Sequence, residues 1–384
     1  MSKKKKYLSW DDILKDNYTE GDTIINYEGG GDTIINYEGG SDTIINYEGG
    51  NKNIKKNLEK IIHDGINNEC SFAIKNNNNQ NCVPIAVLDK IQNKVLSVID
   101  TNGGNKNDNN DNNDNNDNND NNSNNINKKI AEYFNCDGDE KEKCVLKNIK
   151  NDKKFHQYID PNKIDDLIKR YFKPEGPKET FNFLSNHNID QVLSQFYHRY
   201  SDEKNKFYNI GFQLRDFAKY DTELENFDFY EKITENHYKT FGVVINTDVS
   251  TGTGIHWVCL FIDARNPEYI DIEYFNSSGR KPLVEIQQFL EKTRQTLLNK
   301  FENKKIINIK YASDIRLQED GHSCGVWSLT YIWLRLEDVP AEWFNPSNID
   351  DSIMHSLRKY FFTNDYKEKR TYGGNKLDKK NKYL

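Results

Sequence analysis

The order of strand-like and helical segments after residue 240 predicts an α+β fold for the C-terminal part of this chain. Phe241–Val249, His256–Asp263 and Tyr269–Phe275 are rich in Val, Ile, Phe and Tyr and are separated by turns containing Gly or Pro, so they read as strands. Leu283–Phe301 reads as a long amphipathic helix with Pro282 suited to its first turn, Ile306–Tyr311 as another strand, and an apolar helix begins at Cys324. A second texture lies upstream. Ile130–Phe134, Val145–Ile149, Ile164–Phe172 and Ile189–Tyr200 have helical spacing, which predicts a mainly helical N-terminal domain. Asn186 or Asn188 is a candidate cap for the last of these.

The first segment, residues 1–53, reads as a flexible tail. It holds Lys3 to Lys6, a short amphipathic pattern (Leu8, Trp10, Ile13, Leu14) and an internal repeat. Asp22–Gly30 recurs at Asp32–Gly40 and Asp42–Gly50, and each copy ends in Gly-Gly, which breaks regular structure. Ile54, Leu58, Ile61 and Ile62 predict a helix; Ser71–Ile74 and Val83–Leu88 are strand-like, and Val95–Ile99 fits either state. Asn105–Asn127 is an Asn/Asp tract with nothing to bury before Ile126, read as a disordered insertion. Pro174, Gly176 and Pro177 mark a boundary. The expected organisation is a tail (1–53), a helical domain (54–175, with the 105–127 insertion), a second domain (176–365) and a polar tail (366–384).

Hydrophobic residues make up only 35% of the 384, but the deficit is concentrated in the repeats and the Asn/Asp tract, leaving enough for a core. The net charge of −7 argues against a dedicated nucleic-acid binder. No apolar run approaches the roughly 20 residues that span a bilayer, so no membrane partner is expected. The six cysteines (70, 82, 136, 144, 259 and 324) lack CxxC spacing, and no apolar segment follows the basic run. A reducing compartment and mostly free cysteines are therefore expected. Cys136, Cys144 and His156 suggest zinc weakly, since seven residues part the cysteines and a fourth ligand is lacking. No metal and no cofactor is expected.

Cys324 stands where a polar run, Arg316 to Ser323, meets an apolar helix, and a helix N-terminus favours thiolate over thiol. A cysteine nucleophile needs a base, a group that orients the base, and donors for an oxyanion. His256 opens the second strand after a Gly-rich turn, and Asn276 follows the third. If those strands are neighbours, the Asn276 oxygen accepts from His256 Nδ1 and leaves Nε2 facing the thiol. Gln318, six residues before Cys324, can meet the oxyanion with the Cys324 backbone N–H. His322 is a rival base without a strand-borne partner. Taken singly, each of these residues has a structural explanation; their combination and order are specific.

The series His256-Trp257, Asn276-Ser277-x-Gly279 and Gln318-x5-Cys324-Gly325 resembles the catalytic core of the Ulp1/adenain-type cysteine peptidases. The likeness covers 241–335 and extends loosely back to Phe183-Leu184 and Ile189. It implies a Ulp1-like core in which a central sheet is flanked by helices and the nucleophile starts one of them. Asn276 departs from the aspartate of SUMO proteases and resembles the asfarvirus-type polyprotein protease of large DNA viruses, which has an extra N-terminal helical domain.

The resemblance implies cleavage after Gly-Gly, in viral structural polyproteins during maturation. An indole at Trp257 over the channel would pass only glycine, although strand alternation leaves open whether Trp257 or Val258 faces the core. The implied location is the virion and host cytoplasm, or cytoplasm and nucleus if the source is not a virus. The implied partner is a protein substrate bearing Gly-Gly. Removal of ubiquitin-like modifiers, acyl transfer, and a non-catalytic binding module are the alternatives. The chain's own Gly-Gly pairs, at 29–30, 39–40, 49–50, 103–104 and 373–374, are candidate self-processing sites.

Overall fold

A computed structural model describes residues 51–72, 81–102, 130–136, 141–179, 181–220, 222–302, 304–312 and 314–363. The repeats, the Asn/Asp tract, the C-terminal tail and all five Gly-Gly pairs lie outside the described residues. In chain order come helices α1 (Asn51–Ile66), α2 (Ile85–Asn102), α3 (Lys141–Asn151), α4 (Pro161–Tyr171) and α5 (Asn186–Arg199). Then follow β1 (Phe207–Leu214), α6 (Phe229–Thr234), β2 (Thr240–Asn246), β3 (Trp257–Asp263), β4 (Tyr269–Phe275), α7 (Val284–Lys300), β5 (Ile306–Ala312), α8 (Cys324–Leu336) and α9 (Asp351–Phe361).

The five strands form one mixed sheet in the order of the chain. β2, β3 and β4 are antiparallel neighbours, while β1 pairs with β2 and β4 with β5 in parallel. Each parallel pair is joined through a helix, α6 or α7, as a crossover requires. Both faces of the central strands are covered. Val244, Trp257, Cys259, Phe261 and Phe275 face the layer of α8, while Val243, Ile245, Val258, Leu260 and Ile262 face α7. This answers the Trp257 question: its indole lies on the α8 side, and Val258 is buried on the other. Every residue of α8 is buried, as expected for a helix that is apolar all round.

The upstream helices α2, α3 and α4 build their own cluster around Val87, Val95, Leu146, Ile164 and Phe172. α1 instead packs with α9 in the core that holds α8, through Ile54, Leu58, Ile61 and Ile62. Glu175 bridges Thr363, so the Pro-Gly-Pro segment is fastened at one point to the end of α9.

Four expectations need correction. Val83–Leu88 is not a strand, and Val95–Ile99, which fitted either state, is helical. Ile85–Asn102 is one helix, and the buried series Val87, Leu88, Ile91, Val95 and Val98 has the helical period. Ser185, rather than Asn186 or Asn188, caps α5; Asn188 returns the bond to the Ser185 backbone in a capping box. Pro282 lies just before the N-cap Leu283 and not in the first turn of α7. The cysteines are not mostly free. Cys70–Cys82 and Cys136–Cys144 are disulfides with Cα separations of 5.0 and 5.7 Å, well inside bonding reach. Cys259 and Cys324 remain as buried thiols.

Candidate active site

Antiparallel pairing sets the start of β3 beside the end of β4, and two side chains use that corner. His256 immediately precedes β3 and Asn276 immediately follows β4; His256 Nε2 and Asn276 Oδ1 are 2.8 Å apart. The buried Asn276 amide is fixed from both ends. Its Nδ2 donates to Tyr274 Oη at 3.1 Å and to the Arg280 carbonyl at 3.0 Å. Its Oδ1 also accepts from Ser278 N at 3.0 Å and Ser278 Oγ at 2.8 Å. An oxygen so defined makes Nε2–H the donor and leaves the proton off Nδ1 in the neutral ring. The expected nitrogen roles are thus reversed: Asn276 holds Nε2, and Nδ1 is the basic nitrogen.

Cys324 is buried at the N-terminus of α8. The backbone N–H groups of Trp257, Gly325 and Cys324 itself favour its thiolate, so its sulfur sits against the residue that follows His256. Burial nevertheless wins and pushes the Cys324 thiol up to about 11. The helix-start N–H groups of Cys324 and Gly325 act in the expected direction but against this larger effect. Burial likewise draws His256 below the ordinary imidazole value; the Asn276 contact opposes this and the charge of Arg280 adds to it. Burial thus disfavours charge on both the thiol and the imidazole.

Gln318 is buried and tied to the same corner. Its Oε1 accepts from Ser277 Oγ at 2.7 Å, and its backbone N–H donates to the Ser277 carbonyl at 2.9 Å. Its Nε2 donates to the Asp320 carbonyl and to Asp320 Oδ1, each at 3.0 Å. The amide is therefore held by Asp320 in this state. Sequence reasoning missed Asp320, which organises the turn into α8. It accepts from His322 N, Ser323 N and Ser323 Oγ. Burial pushes its carboxyl up, but the donors from Ser323, His322 and His355 outweigh that and hold it well below the carboxylate range. The Asp-Gly pair at 320–321, three residues before a helix, was the available signal. Asp351 supports the same loop, accepting from Glu319 N and Asp320 N at 2.8 Å and from Trp327 Nε1 at 2.9 Å.

The Trp257 indole donates through Nε1 to the Leu184 carbonyl at 3.0 Å. A Cβ on Gly325 would lie 3.1 Å from Leu184, so glycine there lets α8 approach the 183–184 segment. Phe183, Leu184, His256 and Trp257 line one cleft, with the exposed Ile255 at its rim. His322, the rival base, turns its Nε2 toward Asp320 at 3.4 Å. Cys136 and Cys144 are consumed in a disulfide, which removes the weak zinc suggestion.

A sheet-end histidine oriented by an amide, beside a buried cysteine at a helix start, defines a cysteine peptidase. The family model of the Ulp1 protease C-terminal catalytic domain matches residues 167–371, and the chain belongs to that family. The chain is 34% identical over 203 residues to the SUMO-1 cysteine protease of African swine fever virus, covering 50% of this chain and 71% of that one. The crystal structure of the African swine fever virus protease superposes with a TM-score of 0.54 at 25% identity, covering 77% of this chain and 96% of that one.

Proposed function

We propose that this peptidase cuts after Gly-Gly in structural polyproteins of a virus, acting in the virion and host cytoplasm. In this scheme His256 Nδ1 takes the Cys324 proton as sulfur attacks the scissile carbonyl, and Asn276 holds the ring through Nε2. The Gln318 amide, released from Asp320 when substrate enters, joins the Cys324 N–H on the oxyanion. The single observation behind these roles is the 2.8 Å His256–Asn276 contact next to a cysteine whose sulfur meets the Trp257 N–H.

Trp257 supports the Gly-Gly preference. Its buried indole, pinned to Leu184, shares the cleft with His256, and a wall that cannot swing away favours residues lacking a Cβ. The test pairs peptides that differ only in Gly-Gly against Ala-Ala, with Cys324→Ala as control. Cleavage of Gly-Gly alone is expected; equal cleavage of both removes the specificity. Particle polyproteins set against SUMO- and ubiquitin-like precursors separate maturation from modifier removal. An active chain heavier than Cys324→Ala by only the one sulfur atom that the substitution removes would exclude self-processing at its own Gly-Gly pairs.

A further inference from the structure

We infer that Asp320, His322 and His355 form a site for a divalent transition-metal ion, zinc foremost, on the loop that leads into the cysteine helix. The three residues come from two elements fixed independently of any ion. Asp320 and His322 lie in the turn before α8, and His355 lies on α9, whose Asp351 already grips that turn through two backbone N–H groups. Asp320 Oδ2 is 3.0 Å from His355 Nε2 and 3.4 Å from His322 Nε2. All three donor atoms lie within 4.8 Å of one another. Tetrahedral zinc with bonds of about 2.0–2.1 Å sets its donors about 3.3 Å apart. Two of the three separations are already near that value, and a small closing of the imidazole pair completes the set.

The geometry is more than turn-capping requires. Asp320 already accepts from Ser323 N, Ser323 Oγ and His322 N, enough to fasten the turn without either imidazole. His322 Nε2 is nevertheless buried, aimed at this carboxylate, and without a hydrogen-bond partner among the described residues. A buried ring nitrogen left unpaired is costly, and an ion on its lone pair would remove that cost. The two imidazoles are nearly parallel, 11° apart with centroids at 5.6 Å, and Phe181 packs edge-on against His322 at 5.0 Å. Arg358 donates to the His322 carbonyl at 3.3 Å. His355 is 38% exposed at its side chain, against 15% for the other two, so the ion has an entry on that side. Two nitrogens and one carboxylate select zinc, cobalt or nickel over magnesium and calcium, and a water would take the fourth position.

The test uses the full-length Cys324→Ala protein, so that the proposed nucleophile cannot bind metal. Calorimetric titration with zinc chloride is expected to give one ion per chain, and magnesium chloride no comparable heat. His355→Ala, a change on an accessible helix face, should weaken zinc at least tenfold and remove the zinc-dependent rise in melting temperature. His322→Gln should do the same, and His355→Gln serves if the alanine variant melts early without metal. Cobalt should give the visible absorption of a tetrahedral site in the parent protein and lose it in His355→Ala. An absence of zinc binding, an affinity unchanged by His355→Ala, or magnesium binding as well as zinc each overturns the assignment.

Discussion

The two ends of α8 solve opposite problems with the same two strands. At its C-terminal end Arg335 donates to both oxygens of the fully buried Glu273, each at 2.8 Å, and to the Val339 carbonyl at 2.7 Å. Tyr331 adds a third bond to Glu273, and Asp263, Arg265 and Asp338 extend the pairing outward. At its N-terminal end burial disfavours charge on Cys324 and His256, and the partner that orients the imidazole, Asn276, is an uncharged amide. Glu273 is three residues upstream of Asn276 on one chain segment, and Asp263 ends the strand that His256 precedes. The buried ion pair thus sits at the C-terminal end of the helix. Around the thiol, by contrast, burial disfavours charge before reaction, and N–H groups already point to where it would develop, while the Asp320 carboxylate is occupied by the donors of the turn.

Substitutions can break each end separately. The largest effect on chemistry is expected from Cys324→Ala, which should reduce peptide cleavage to background while leaving the melting temperature nearly unchanged, since it removes one small buried atom. Glu273→Gln should do the reverse. It leaves Arg335 as a buried cation with a weaker partner, and breaking such a pair costs roughly 3–5 kcal/mol. Urea unfolding would read this as a lower midpoint at constant slope. Residual folded protein should still cleave. A Glu273→Gln variant with native stability but no activity would mean that the two ends are not separable in this way.

Alkylation by iodoacetamide tests whether the Cys324 thiol rests protonated, with a smaller expected change. With the thiol pushed up to about 11, its reaction should accelerate steadily as pH rises, because the thiolate is the nucleophile. Cleavage should instead fall as pH drops through a His256 value below the ordinary imidazole one, where the base becomes protonated. An alkylation rate that is flat between about pH 6 and 8 would indicate a preformed thiolate–imidazolium pair, as low-pKa catalytic cysteines have.

How much of this was legible in the sequence depended on whether the signal was local. β2, β3 and β4 are nearly continuous apolar runs and could be read directly, as could the buried α8. β1 was missed because only two of its eight residues are buried and a bulge falls between Asn209 and Gly211, so it shows no alternation. The adjacency of His256 and Asn276 could be argued from strand order, but not which ring nitrogen meets the amide. That depends on Tyr274 and Arg280 fixing Asn276. The height of the Cys324 pKa was illegible for a similar reason. A helix start is visible in sequence, whereas the burial that outweighs it comes from elements far along the chain. The disulfides needed three-dimensional proximity as well, since spacings of 12 and 8 residues carry no motif.

Asn276→Asp sharpens the comparison most finely, because it brings one formal charge directly beside His256. The carboxylate oxygen that replaces Asn276 Oδ1 would keep the 2.8 Å bond to His256 Nε2, and its charge favours the imidazolium. The His256 pKa must then rise, and the acid limb of kcat/KM with it, so activity at low pH falls while the plateau changes by only a few-fold. The substitution also removes the Nδ2 donor and turns an oxygen toward the Arg280 carbonyl and Tyr274 Oη. The tyrosine can reverse its hydrogen and donate, but the carbonyl cannot, so a stability loss of about 1–3 kcal/mol is expected. An acid limb that stays in place, or moves down, would show that the amide does not hold His256 through Nε2. A limb that moves up with the plateau preserved would show that this corner works with either charge state, and that its neutrality answers to folding rather than to catalysis.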